Sequence, residues 1–303
     1  MPNQAAMLIE PTPADLDGLL ALSEAAHWNQ TRDDWAWMLA HGRTRALCDH
    51  NTLVASILVL PWPAITDQPP PSTAASLAWI SMVLVLPEHR GKGHATRLLE
   101  ESLAWLREPE QHHLLPVLDA TPAGRPVYLK LGFSDQWGFT RWEHRTHRRA
   151  SPGHRRHDLT APHDMGGTRV VHELDRMAFG ADRSLLLDSL MRRAPSLALV
   201  ARNHEQAHGF LLARPGRVAT QLGPVVARDS DTAIELADEA LSRIDGAVFI
   251  DIPDSQRTFA DWVASRGFVP QRPFTRMALI NPNQTSLPAP LVTPFAVAGP
   301  ELG

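Results

Sequence analysis

Between Val83 and Leu99 the chain reads VLVLPEHRGKGHATRLL, and these residue types suit the binding of a polyanion. The aliphatic run stops at Pro87, which lacks the N–H a central strand must donate. Gly91 and Gly93 permit positive φ and leave bare backbone for a ligand. A helix-forming segment starts near His94. Its first N–H groups have no partner within the helix and stand at the positive end of its dipole. Strand, glycine turn and helix start together make a receptacle for a diphosphate, with Arg90 and Lys92 adding charge. Neither GxGxxG nor GxxxxGK(S/T) occurs there, so a dinucleotide fold and a P-loop lose their main support.

Composition bounds the rest. The 303 residues are too many for one core of ordinary size and suit two domains. With 20% charged and 44% hydrophobic residues the chain reads as a globular protein. A formal charge of −4 gives no general attraction to nucleic acid or an anionic membrane. No apolar run is long enough to span a bilayer and no signal peptide is indicated, so a cytoplasmic enzyme is expected. Cys48 is the lone cysteine, which excludes an intrachain disulfide. Lys92, in the glycine turn, is one of only two lysines.

The elements that must position this turn follow from patterning. A short strand at 6–10 precedes an amphipathic helix from Pro13 to about His27, with Leu16, Leu19, Leu20 and Leu22 on its apolar face. Thr31 is a good N-cap for a second helix over 32–40, which carries Trp35. Strands are expected at 45–48 and 53–60, then a proline-rich loop over 62–73 and a central strand at 77–86. The helix after the turn buries Leu98, Leu99, Leu103 and Leu106. A strand at 114–118 ends at Asp119, a helix runs over 122–131 to Gly132, and a strand covers 139–143. Alternating strands and helices indicate an α/β or α+β protein.

From His144 to His163 the chain is basic and polar without an apolar repeat, which reads as a linker and not as a metal site, since its histidine spacings fit no zinc pattern. Strands and helices resume to Ile280, and the tail beyond is expected to be poorly ordered or draped over the surface. Gly132-Phe133, five residues and Phe139-Thr140-Arg141 recur as Gly267-Phe268, five residues and Phe274-Thr275-Arg276. Such self-similarity points to duplication of a whole domain. The second half's counterpart of the glycine turn, 223–233, lacks Gly-x-Gly and carries Asp229 and Asp231, whose charge disfavours a diphosphate.

The turn Arg90-Gly91-Lys92-Gly93-His94-Ala95, preceded by Val85-x-Pro87 and followed by Thr96-x-Leu98-Leu99, resembles the (Q/R)-x-x-G-x-(G/A) phosphate loop of GNAT acetyl-CoA-dependent N-acetyltransferases. The resemblance implies two tandem GNAT folds, each a mixed, mostly antiparallel twisted sheet flanked by helices. It implies a catalytic domain over 1–145, a linker at 146–165, a degenerate domain over 166–282 and a tail at 283–303. It further implies that Val83, Leu84 and Val85 offer backbone groups to pantetheine and that Arg90, Gly91, Lys92, Gly93, His94, Ala95 and Thr96 hold the diphosphate. Tyr128, the only tyrosine, sits in PVYLKLGF, similar to the family's Y-x-x-x-G-F, where tyrosine protonates the departing thiolate; a buried helix aromatic is the alternative.

No carboxylate occurs on the central strand, so the base is open, with Asp119 a candidate and Ser81 the strand's one hydroxyl toward the acceptor. Trp28 and Trp35 are either core aromatics or, as the resemblance implies, walls of the acceptor pocket. The implied reaction is direct attack of a small primary amine on acetyl-CoA, with no metal, by a monomer or homodimer. A non-catalytic acetyl-CoA sensor or an interaction protein is the competing reading.

Overall fold

The computed structural model describes residues 6–65, 76–149, 151–153, 156–162, 166–204, 206–280, 287 and 290–303. The first half comprises β1 (Met7–Ile9), α1 (Leu16–Ala25), α2 (Arg32–His41), β2 (Arg43–Asp49), β3 (Thr52–Trp62), β4 (Leu77–Val85), α3 (His94–Leu106), β5 (Leu115–Ala120), α4 (Arg125–Lys130) and β6 (Ser134–His147). The element order expected from patterning is the order found. Thr31 caps α2 by accepting from the Asp34 N–H, while Asp34 accepts in return from the Thr31 N–H at 2.7 Å. β2 and β3 turn over at His50 and Asn51, both at positive φ, which matches a two-residue loop to the strand twist. Residues 66–73 of the expected proline-rich loop lie outside the described residues.

The second half comprises β7 (Asp158–Thr160), α5 (Gly167–Phe179), α6 (Ser184–Arg193), β8 (Leu199–Asn203), β9 (Gln206–Arg214), β10 (Thr220–Ala227), α7 (Ser230–Leu241), β11 (Gly246–Pro253), α8 (Arg257–Ser265), β12 (Val269–Ala278) and β13 (Thr293–Ala296). Two expectations need correction. The span 146–165 is not wholly linker, because β6 runs to His147 and β7 pairs with β8. β7 is the edge strand of the sheet and so needs no two-sided apolar pattern. His154 and His163 lie outside the described residues. The end of the tail is not draped over the surface either, while 281–286 and 288–289 lie outside the described residues. β13 pairs with β10, residues 295–303 are buried, and Val297, Ala298 and Leu302 fill interior space.

Both halves share one sheet, in the order β1-β2-β3-β4-β5-β12-β6-β11-β10-β9-β8-β7. Each half lends its last long strand to the other. β12 lies antiparallel between β5 and β6, and β6 lies antiparallel between β12 and β11. The two copies of the repeat therefore meet. Phe139 is directly opposite Phe274, with stacked rings 5.0 Å apart. Two residues on, the arginines reach outward to matching aspartates. Arg276 makes a paired contact to Asp119 of β5 at 2.9 and 3.0 Å, and Arg141 makes one to Asp251 of β11 at 2.7 Å on both arms. Gln221 also donates to Asp251 at 3.1 Å. Paired arginine–carboxylate contacts of this kind are geometrically selective and set strand register as well as partner.

These ion pairs are buried, so removing one partner leaves a charge without water or counter-charge. Asp251→Ala is expected to lower stability by about 3–5 kcal/mol. Arg169→Ala, which breaks the exposed Arg169–Glu173 pair, should change it by about 0.5 kcal/mol or less. Urea unfolding of the two variants checks both figures. A fragment ending at residue 147 should fail to fold, because β5 and β6 lose the strand between them; circular dichroism reads this directly.

Candidate active site

β4 and β5 run parallel and pair only from Leu77–Ile80 to Leu115–Leu118. Beyond Ile80, β4 bends away. Met82 takes a positive φ of 51°, its carbonyl accepts from Ser56 Oγ at 2.9 Å, and the register with β3 shifts between Ser56 and Leu58. A non-glycine residue in this region is strained and persists only where its surroundings hold it. The consequence is a V-shaped gap in which Ser81–Val85 have no strand partner toward β5.

The glycine turn closes one end of that gap. Gly91 and Gly93 stand at φ 74° and 79°, and an added Cβ at either would meet nothing within 4 Å. Backbone conformation, not crowding, demands glycine here. Gly93 is the N-cap of α3 and supplies no side chain, so the first N–H groups of α3 remain open to a ligand. Arg90 Nε donates to the Val85 carbonyl at 3.3 Å, tying the turn to β4. Burial, with the neighbouring Lys92 and Arg97 cations, holds His94 below its usual pKa, so its imidazole is neutral near pH 7.

A groove of about 720 Å³ runs from this turn through the V. Its walls include Val83, Leu84, Val85, Arg90, Gly91, Gly93, His94, Ala95, Thr96, Ser81, Asp119, Tyr128 and Trp28, each singled out from sequence. Lys92 is exposed on the turn and does not line the groove. Tyr128 lies on α4 with its ring against Phe133, centroids 6.1 Å apart. Burial pushes its phenol up to about 12.

Two of the residues singled out from sequence are engaged elsewhere in the fold. Trp35 is fully buried under β3 and β4, with Nε1 donating to Ser23 Oγ at 2.9 Å, so it supports the core and touches no ligand space. Asp119 is reached by the groove, but both of its oxygens accept from Arg276. Burial holds its carboxyl above the usual carboxylate range, although Arg276 pulls it down. A carboxylate engaged at both oxygens by a guanidinium is an anchor between modules and a poor acceptor for a substrate proton. The repeat held the signal for this partner, since Arg141 and Arg276 occupy matching places.

Sequence reasoning gave the second half a part in shaping the acceptor site but did not name its contributors to the groove, Arg272 and Pro300. Trp28 is set by that half as well. Its carbonyl accepts from Arg217 Nη2 at 2.9 Å, and Asn29 bonds the backbone of Val218 and Ala219 at 2.9–3.1 Å. Nearby, Asp34 holds Arg193 at 2.8 Å and Arg214 at 3.0 Å, and Arg214 also binds Glu301.

The second half repeats the parting of two parallel strands, but another strand lies in the gap. β10 and β11 pair in parallel at Thr220–Leu222 with Val248–Ile250 and then part. β13 fills the gap: it pairs with Val225–Ala227 of β10, and the Val297 N–H donates to the Asp251 carbonyl at 3.0 Å. At the start of α7, Asp229 takes the helix N–H groups itself, accepting from Thr232 N–H at 2.8 Å. Among the described residues, no three His, Cys, Asp or Glu side chains converge as a metal site requires.

The site is thus a groove between two parallel strands that part, in an α/β fold, with an uncapped glycine turn beside it. Residues 16–133 match the acetyltransferase (GNAT) family and residues 171–287 match an acetyltransferase (GNAT) domain. The chain belongs to the GNAT superfamily as a tandem protein, which places it among the acyltransferases. A curated relative, the uncharacterized N-acetyltransferase YitH of Bacillus subtilis, is 27% identical over 196 residues, 63% of this chain and 66% of that protein. Its matched region thus falls just short of two thirds of its length. A crystal structure of a candidate acetyltransferase from Pyrococcus horikoshii aligns over 100% of this chain and 98% of its own, with 18% identity and a TM-score of 0.77. A tandem GNAT protein from the clavulanic acid biosynthesis pathway covers 90% and 97%, with 13% identity and a TM-score of 0.61. At these identities the structures speak for the fold. No helix among the described residues is long and apolar enough to cross a membrane.

Burial raises the Asp34 carboxyl, yet Arg214 and Arg193 outweigh it and hold the group below the usual carboxylate range. A depressed folded value stabilises the protein fully above the unfolded value of about 4 and is lost as pH falls through the folded one. Asp34→Asn should therefore flatten the decline of stability below about pH 4, read by urea unfolding from pH 5 downward.

Proposed function

We propose that the chain is an N-acetyltransferase that moves the acetyl group of acetyl-CoA to a primary amine of a small acceptor, in the groove of the first module. The observation that carries this reading is the open V beside an uncapped helix start, a pairing that β13 and Asp229 abolish in the second module. Backbone N–H groups from Gly91 to Thr96 would hold the diphosphate, with Arg90 adding charge. The unpaired edge of Ser81–Val85 would hydrogen-bond the pantetheine amides and place one N–H toward the developing oxyanion.

The amine attacks the thioester carbonyl, the C–N bond forms, and collapse of the tetrahedral centre breaks the C–S bond. Tyr128 donates its proton to the departing thiolate. With its phenol pushed up to about 12, Tyr128 stays protonated throughout the working pH range. The proton lost by the ammonium leaves through water in the groove, since Asp119 is committed to Arg276. In this reading the protein is a cytoplasmic enzyme that acts as a monomer or a homodimer.

Thiol release with acetyl-CoA and a panel of amines tests the reaction; binding without release would favour the sensor reading. Calorimetry should find one acetyl-CoA per chain, and a second equivalent would contradict the filled cleft. Tyr128→Phe should lower kcat about 100-fold or more with the acetyl-CoA Kd within threefold. The wild-type rate should show no alkaline decline below about pH 10, because the raised phenol does not ionise there.

A further inference from the structure

Four of the buried or half-buried arginines at the module junction have carboxylate partners: Arg141 with Asp251, Arg276 with Asp119, Arg193 with Asp34, and Arg214 with Asp34 and Glu301. Arg272 does not. It lies on β12 opposite Arg141 and lines the groove of the first module, yet it makes no hydrogen bond or ion pair among the described residues. Its Nε is buried without a partner, and its guanidinium lies 5.0 Å from the centroid of the Phe274 ring. Desolvation and the nearby Arg141 cation weigh against its charge and outweigh the attraction of Asp251, whose oxygens are bonded to Arg141 and Gln221. A guanidinium taken partly out of water normally finds an anion. The groove wall itself offers none, because Asp119 is its only carboxylate among the described residues and is taken by Arg276.

The face on which Arg272 stands decides what that anion belongs to. Between 272 and 276 the pairing of β12 with β6 is regular, so Arg272, Phe274 and Arg276 alternate onto one face. Arg276 stacks on Trp79, which belongs to the core beneath α1 and α2. α3 and Tyr128 cover the opposite face, with Leu98, Leu99 and Ile80. The phosphate turn opens on the α3 side, so its anions lie across the sheet from Arg272. Trp28, Pro300 and Arg272 instead bound the groove where an acceptor would approach the thioester.

We propose that Arg272 binds a carboxylate carried by the acceptor, so that the substrate is an amino acid or a similar amine bearing a carboxylate. This rests on the acetyltransferase reading above. The second module then supplies the specificity element of the first: its guanidinium fork grips both carboxylate oxygens and turns the amine toward the V.

The experiment compares amino acids with their carboxamides as acceptors for the wild-type protein, Arg272→Gln and Arg272→Lys. The wild-type protein should use the acids with a kcat/KM about 10- to 100-fold above that of the amides. Arg272→Gln should bring the acid-to-amide ratio close to one by raising KM for the acids, and Arg272→Lys should fall between. Equal use of acids and amides by the wild-type protein, or a preference that survives Arg272→Gln, overturns the proposal while leaving the transferase reading intact. A second measurement needs no variant and no turnover. Titrated into the wild-type protein with CoA, N-acetyl amino acids should bind at least tenfold tighter than N-acetyl amino acid amides; equal binding overturns the proposal. If no amine supports thiol release, the transferase reading fails, and the titration alone decides the role of Arg272.

Discussion

The pairing of β6 with β12 is the contact on which the rest of the molecule depends. At its centre Phe139 and Phe274 stack, and to either side Arg141 and Arg276 reach to Asp251 and Asp119. Each arginine is carried by one module and each aspartate by a strand of the GNAT repeat it completes. Neither half can leave without exposing the core of the other and stranding a buried charge. Desolvated pairs of this kind add little net stability against an apolar alternative, but they strongly disfavour the wrong register and the wrong partner. The two repeats are therefore one folding unit, and 'catalytic' and 'degenerate' describe clefts more than domains.

The two clefts show how small a change separates a ligand site from a filled one. Both arise where a parallel pair parts after three or four residues. In the first, β4 is bent by a strained Met82 and the following helix begins at a bare Gly93. In the second, the C-terminal strand occupies the gap and Asp229 satisfies the helix N-terminus from within. The backbone groups that a cofactor would use are, in the second module, used by the chain itself. From there the tail continues to the first module, where the Pro300 carbonyl accepts from Trp79 Nε1 at 3.1 Å and Pro300 lines the groove.

Charge is arranged with the same division. The phosphate turn brings Arg90 to one end of the groove, and Asp119, its one carboxylate among the described residues, is paired with Arg276. The groove is left cationic at both ends, by the turn at one and by Arg272 at the other. Trp28 stands between Arg217 and the groove, fixed by bonds to its own and Asn29's backbone and amide groups. The acceptor side is thus built largely by the second half of the chain.

Much of this was legible in the residues. The order of elements, the Thr31 cap, the phosphate turn and the apolar face of α3 depend on local chemistry: φ preference, capping and a 3.6-residue period act within a few residues of one another. Tyr128 and the walls of the V could be placed because they sit at short, fixed distances from that turn. What depended on contacts across more than a hundred residues was not legible. Asp119 stood open as a candidate base, and its partner Arg276 lies 157 residues away; Trp35 read equally as core or pocket wall, and only packing made it core. The repeat announced a duplication but not an exchange of strands, and a tail rich in proline and threonine became an interior strand because a gap between β10 and β11 was waiting for it. Local propensity sets which segments are strands and turns; which strand fills which gap is chosen by burial and charge pairing, quantities that exist only once the chain has folded.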